Sequence, residues 1–318
     1  MRLLDVLVAR RRIAPYVRRT PLVRSSWLSD LTGAEVMLKL ESAQQSNSFK
    51  SRGAFNAVIA RLERGSPALA RLVTASAGNH GRGLAAAAEA FHLPLTVFTP
   101  ADAPEAKLTA IARHGAELRA DSRDYDEAER RAKAFATETG AAFISPYNDA
   151  DVIAGAATVA LEIFEDAADT DTLVVPIGGG GLISGAAAVA KTVSATCAVV
   201  GVEVEVSCAF QTSVRAGKLV EIVPGSTLAD GLGGNPDPDT ITFDPIQRLV
   251  DQLVTVSEKD LKDALVGLVT FEHVITEGAG AAATAALIGK RVDVSGCRVA
   301  VIVSGANIDR ARLAALLT

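Results

Sequence analysis

DTLVVPIGGGGLISG, residues 171–185, carries the reading of the fold. Leu173 to Ile177 form an apolar run without alternation, the pattern of a strand covered on both faces, as in a parallel sheet. Four consecutive glycines, Gly178 to Gly181, follow at once, and a helical pattern starts at about residue 181. Strand, glycine turn and helix make up the repeating unit of a doubly wound α/β sheet. Glycines there let the backbone take left-handed angles and let several N–H groups converge without side chains in the way. At a helix N-terminus such a turn is an anion cradle, suited above all to a phosphate; the plain alternative is a tightly packed turn. It is not a Walker loop, because no GK[ST] follows, and it is not GxGxxG.

The same alternation extends in both directions. Strand-like runs occupy 35–40, 72–76, 93–99, 116–120, 141–145, 197–205, 252–257 and 297–304. Helical patterns occupy about 50–64, 79–91, 104–114, 124–139 and 151–166. The expected fold class is α/β, two-lobed, with parallel-type twisted sheets covered by helices. The Arg-rich opening MRLLDVLVARRRIAPYVRRT is faintly like a transit peptide, but Pro15 ends its pattern and a plain first helix is the simpler reading. Residues 217–248, rich in Gly, Pro and Asp, are expected to rim a cleft or cross the surface.

With 318 residues, 49% of them hydrophobic, the chain can bury large cores in about two domains. A net charge of −5 argues against nucleic acid as a partner, since phosphate binding needs a basic field. Cys197, Cys208 and Cys297 show no paired spacing and read as reduced thiols. The four histidines are dispersed, so a metal site has no support. No apolar run reaches the roughly 18 residues of a spanning helix, which excludes a membrane role; a cytoplasmic location is expected.

Three further loops sit at strand ends, where open α/β sheets bind ligands. TASAGNHGRG, residues 74–83, offers Ser76, Ala77, Gly78, Asn79 and His80 as a polar turn whose N–H groups suit a carboxylate. Asn79 could also meet a phenolic oxygen, and His80 reads more simply as a capping residue than as an acid or base. VIVSGANID, residues 301–309, ends an apolar strand at Ser304, which either faces the cleft or caps the next helix. TEGAGAAA, residues 276–283, places Glu277 as a helix cap. Lys50, in ESAQQSNSFKSRGAFNA (41–57), would alone be read as a solvated lysine at a helix start. Beside a phosphate cradle, a carboxylate turn and neutral polar groups, it becomes the amine that pyridoxal 5′-phosphate requires for a Schiff base.

SFKSRGA, SAGNHG, GGGGL and SGAN, in that order, resemble the motifs of the fold-type II pyridoxal-phosphate enzymes, a tryptophan-synthase-β-like fold. The resemblance is to the serine/threonine dehydratase and serine racemase branch, and TPLVRS near residue 20 and LADG at 228–231 extend it over nearly the full length. It implies that Lys50 carries the cofactor, with Phe49 beside the ring and Asn79 at its 3-hydroxyl. It further implies that Gly178, Gly179, Gly180, Gly181 and Leu182 hold the phosphate and that Ser304 meets the ring nitrogen. Ser76, Ala77, Gly78, Asn79 and His80 would take the substrate carboxylate. A large cofactor-binding domain of residues 1–69 plus 148–318 and a small substrate-side domain of 70–147 are implied, as is a homodimer or homotetramer. The implied activity is that of an ammonia-lyase, eliminating the β-hydroxyl of a threonine- or serine-type amino acid to give a 2-oxo acid and ammonia.

Three departures bear on that activity. Racemase members carry a second serine where this chain has Ala77, which transfers no proton, so dehydration is preferred to racemisation. Members with a divalent-cation site have an acidic residue six positions after a glutamate, but Ala209 stands at that spacing from Glu203, so no metal is expected. VIAGAAT (152–158) and SPYND (145–149) put Ala156 and Ser145 where a glutamine and a histidine are usual, pointing to an altered pocket. Arg123 and Tyr125 either approach the substrate side chain or are solvated helix-start residues. The chain stops fourteen residues after Ser304, so a C-terminal regulatory domain is not expected. The rival readings are an amino-acid racemase, a β-replacement synthase of the same fold, and a non-catalytic binder of pyridoxal phosphate or an amino acid.

Overall fold

In a computed structural model that describes residues 1–318, the side chain of Pro67 excepted, Thr172–Pro176 is a strand buried along its whole length. Numbered along the chain, the strands are β1 (Leu22–Arg24), β2 (Glu35–Leu40), β3 (Leu72–Ala75), β4 (Leu95–Pro100), β5 (Glu117–Ser122), β6 (Ala142–Phe143), β7 (Thr172–Pro176), β8 (Ala198–Val204), β9 (Gln252–Val256) and β10 (Arg298–Val303). A six-stranded sheet has the order β1-β2-β10-β7-β8-β9, and a four-stranded sheet the order β5-β4-β3-β6. All neighbours run parallel except β1, which is antiparallel to β2. β1 escapes a reading by pattern because three edge residues hold too little periodicity. β6 is shorter than its apolar stretch, although Ile144 N–H still donates to Val73 O.

The helices are α1 (Leu3–Ile13), α2 (Ser26–Thr32), α3 (Lys50–Glu63), α4 (Asn79–Ala90), α5 (Glu105–Ala112), α6 (Tyr125–Thr139), α7 (Ala150–Asp166), α8 (Gly181–Val193), α9 (Ala209–Ala216), α10 (Phe243–Leu249), α11 (Glu258–Phe271), α12 (Gly278–Ile288) and α13 (Arg310–Leu317). Local chemistry sets their ends. The Asp149 side chain accepts the Asp151 and Val152 N–H groups to start α7, and Ser257 and Asp260 form a capping box on α11. Gly33, Gly140 and Gly217 close α2, α6 and α9 in the left-handed region.

Both faces of each sheet are covered, as the unbroken apolar strands require. α2, α11 and α12 cover one face of the larger sheet, and α1, α7 and α8 the other. α6 packs on one face of the smaller sheet, and α3 and α4 on the other. α3 therefore starts beside β10 of the larger sheet, where Phe49 N–H donates to Ser304 O, and buries Ala54, Phe55, Ala57 and Val58 in the core of the smaller one. No helix among the described residues is long and apolar enough to cross a membrane.

One buried polar cluster ties these parts together. Arg52, fully buried on α3, donates to both oxygens of Glu41 at 2.8 Å and to those of Glu162 on α7 at 2.6 and 2.9 Å. Lys39 on β2, also fully buried, donates to Glu162 at 2.7 Å and to Thr20 O at 2.8 Å. Two cations and two carboxylates balance, but removing one member leaves an uncompensated buried charge. Arg52→Met is expected to lower stability by about 3–5 kcal/mol, read from the urea midpoint. Arg123→Ala, which breaks only the exposed pair with Asp124, should leave that midpoint essentially unchanged.

Candidate active site

The loop that carries Lys50 is stitched to the strand end that carries Ser304. Ser48 bridges Gly305, and Phe49 N–H donates to Ser304 O at 3.1 Å. Lys50 then opens α3, with Nζ donating to Pro146 O at 2.8 Å and lying 5.2 Å from the centroid of the Phe49 ring. Burial pushes its pKa down to about 8. Lys50 is therefore not a solvated surface amine.

The four glycines form the turn between β7 and α8. Gly180 has φ +85°, and a Cβ at Gly179 would lie 2.2 Å from the Tyr147 ring, so neither position admits an ordinary side chain. The Thr242 hydroxyl clasps the turn by donating to Gly179 O at 3.0 Å. The N–H groups of Gly179, Gly180, Gly181 and Leu182 have no acceptor among the described residues. They stand at the positive end of α8, as a phosphate group needs. Leu182 itself is buried and packs into the core.

The SAGNH turn opens α4 opposite Lys50. Ser76 Oγ accepts the N–H groups of Gly78 and Gly81 at 3.2 and 3.1 Å, so the hydroxyl holds the turn, while the N–H groups of Ala77, Asn79 and His80 have no acceptor among the described residues. His80, expected as a cap, is instead the second residue of α4, 2% exposed, and its Nε2 lies 3.1 Å from Ile144 O. A carbonyl only accepts, so Nε2 carries the proton and Nδ1 is a buried acceptor without a partner. Burial, and then the charge of Lys50, lowers its pKa to about 3, so the imidazole is neutral. Glu277, also expected as a cap, makes no side-chain cap to α12; it takes a hydrogen bond from Asn79 Nδ2 at 2.5 Å. Ser304 Oγ is buried and donates over 3.4 Å to Ala279 O, a weak bond that does not commit the hydroxyl.

Of the two residues named for the substrate side chain, Arg123 points to solvent and pairs with Asp124. Tyr125, 39% exposed, starts α6, and burial and then Glu129, Tyr147 and Asp237 hold its hydroxyl protonated. Residues 235–241 cross this rim: Tyr147 Oη accepts Asp237 N–H, and Lys133 on α6 pairs with Asp237 at 2.9 Å. Tyr147 and Thr242 join the site at the glycine turn, and Asn307 joins it by donating to Asn79 Oδ1; SPYND and SGAN contain Tyr147 and Asn307 without assigning either a role, and Thr242 has no sequence signal. Ala156 is buried in the larger core and does not line the rim. Both Glu203 oxygens accept N–H groups, from Phe210 and Gln211 at the start of α9, and burial raises its pKa to about 7. Among the described residues no group of three or more His, Cys, Asp or Glu could hold a metal ion.

The profile of the pyridoxal-phosphate dependent enzyme family matches residues 13–305. The chain belongs to that family. It is 41% identical to the L-threonine ammonia-lyase of Thermotoga maritima over 96% of its own length and 75% of the relative's. It is 37% identical to the L-threo-3-hydroxyaspartate ammonia-lyase of Saccharomyces cerevisiae, over 99% and 95%. Its structure superposes on maize serine racemase with a TM-score of 0.92 at 32% identity, covering 99% of this chain and 96% of the other. The chain is thus a pyridoxal-phosphate dependent lyase with the fold-type II architecture. The free N–H groups of the glycine turn and the desolvated amine fit the phosphate and the aldehyde of that cofactor.

The Lys50 amine gives the cofactor-free protein a pH signature. Its folded pKa of about 8 lies below the ordinary 10.5, so the charged form opposes folding below pH 8 and that penalty is lifted as pH rises towards 10.5. Relative to Lys50→Met, the cofactor-free protein should gain about 3 kcal/mol of stability across that window, read from urea midpoints. A flat difference would mean that Lys50 is solvated.

Proposed function

We propose that this enzyme eliminates the β-hydroxyl of a threonine- or serine-type amino acid, releasing a 2-oxo acid and ammonia. The observation that carries the proposal is the Lys50 amine, desolvated, stitched to the Ser304 loop and joined through Pro146 and Tyr147 to the glycine turn. When bound, pyridoxal phosphate supplies a carbonyl carbon open to amines and a conjugated ring that takes up negative charge from the substrate Cα.

The chain's own groups supply the rest. With a pKa near 8, about a tenth of Lys50 is free amine at pH 7, against well under 0.1% for an ordinary lysine. That amine serves as the nucleophile toward the cofactor and, once displaced by substrate, as the base at Cα. Gly178 to Gly181 and Leu182 hold the phosphate, Phe49 packs beside the ring, and Asn79 meets the 3-hydroxyl. The free N–H groups of Ala77, Asn79 and His80 hold the substrate carboxylate at the positive end of α4. Ser304 offers the ring nitrogen a neutral hydroxyl, which draws less charge into the ring than a carboxylate partner would and favours prompt loss of the β-hydroxyl. Ala77 has no proton to give to the opposite face of Cα, so elimination is favoured over racemisation.

The ammonia-lyase relatives named above support this substrate class. We assign residues 1–69 with 148–318 to a cofactor-binding domain and 70–147 to a substrate-side domain. A homodimer or homotetramer in the cytoplasm accompanies this reading.

A spectrum of the purified protein with added cofactor, together with ammonia and oxo-acid assays on a panel of β-hydroxy amino acids, tests it. Lys50→Ala should lose the visible band and at least about a thousandfold of ammonia release. A band unchanged by the substitution would remove Lys50 from the chemistry. Ala77→Ser should gain measurable conversion of L-serine to D-serine, with none expected of the native protein; racemisation by the native protein would overturn the preference for elimination.

A further inference from the structure

Glu277 and Arg82 have no part in the chemistry above, yet they end one chain of hydrogen bonds through the site. Glu277 is 8% exposed, and its Oε1 accepts from Asn79 Nδ2 at 2.5 Å. Asn79 Oδ1 accepts from Asn307 Nδ2 at 2.5 Å, and Asn307 Oδ1 accepts from Arg82 Nη1 at 2.5 Å. Asn307 Nδ2 also reaches Ser46 O at 2.9 Å. A guanidinium only donates and an ionised carboxylate only accepts, so the two amides between them can point only one way. The Asn79 amide is thereby locked with Nδ2 toward Glu277, which leaves its second N–H to spend elsewhere. Gly305 makes the room: a Cβ there would lie 2.3 Å from Glu277 Oε1. Asn79 and Arg82 belong to α4 beside the smaller sheet, whereas Glu277 and Asn307 belong to the larger-sheet side.

We propose that Glu277 and Arg82 are positioning residues for Asn79, acting directly and through Asn307 to hold its second amide N–H toward the phenolic oxygen of pyridoxal phosphate. This rests on the cofactor contact proposed for Asn79. The charged groups around Glu277 are Arg82, Asp230 and Lys107. Burial raises the Glu277 pKa to about 7, with the Asn79 hydrogen bond opposing it. Its protonation therefore falls near neutrality and relaxes the lock, since a carboxylic acid can donate as well as accept.

The test is titration of the cofactor-free protein with pyridoxal phosphate from about pH 6 to 9, reading the Kd and the position of the visible band. Asn79→Ala and Glu277→Ala should each weaken binding about tenfold and displace the band. Glu277→Gln keeps an acceptor for the Asn79 N–H and should stay within about threefold of native affinity, but without the spectral transition near pH 7. Arg82→Gln, at a half-buried position, should move that transition to higher pH, because losing a nearby cation disfavours the carboxylate. It tests the proposal even if Glu277→Ala fails to fold. Glu277→Ala and Arg82→Gln proteins that match the native one, beside an impaired Asn79→Ala, would overturn the positioning role. A native-like Asn79→Ala would instead overturn the cofactor contact on which it rests.

Discussion

The Arg52 cluster is the constraint on which the rest of the molecule depends. Arg52 lies two residues after Lys50, on the opposite side of the helix start, and its guanidinium is held between Glu41 and Glu162. Those carboxylates come from the turn after β2 and from α7, and Lys39 joins them from β2 itself. Burying four charges costs desolvation that hydrophobic residues would avoid, so the cluster adds little net stability. What it supplies is a fixed rotation and height for the start of α3, because a guanidinium bound on two sides by carboxylates tolerates little displacement.

Close backbone packing completes that restraint. A Cβ at Gly155 would lie 2.4 Å from Arg52 O, and one at Gly53 would lie 2.7 Å from Val152 O, so α3 and α7 cross with their backbones in contact. α7 is itself preceded by Pro146 and Tyr147, the one accepting from Lys50 and the other lying against the glycine turn. Amine, turn and aromatic wall thus share one rigid frame, while the polar chain from Arg82 to Glu277 links α4, beside the smaller sheet, to the larger-sheet side.

Much of this was legible in the sequence, for physical reasons. Buried parallel strands need unbroken apolar runs, so β7, β8 and β10 announced themselves, and the glycines could be read as an anion turn because strand and helix flank them. The misreadings share another cause. His80 and Glu277 stand at helix starts, where local chemistry makes capping the natural role, but their partners, Ile144 O and Asn79, lie far along the chain. No local pattern reports contacts between residues 64 and 198 positions apart. Ala156 misled in the opposite direction: its neighbours resemble a site motif, yet its side chain faces the core. β1 was simply too short to show a period.

The division of α3 between two cores has a mechanical consequence. Its first turn is anchored by Arg52 to the frame of the larger sheet, while Ala54 to Val58 belong to the core beneath the smaller one. Any rotation of one sheet against the other would pivot near that first turn, which would put Lys50 close to its axis. Groups on the axis sweep the shortest arcs. The Tyr125 rim at the start of α6 would sweep further, while the amine itself stayed in register with the glycine turn.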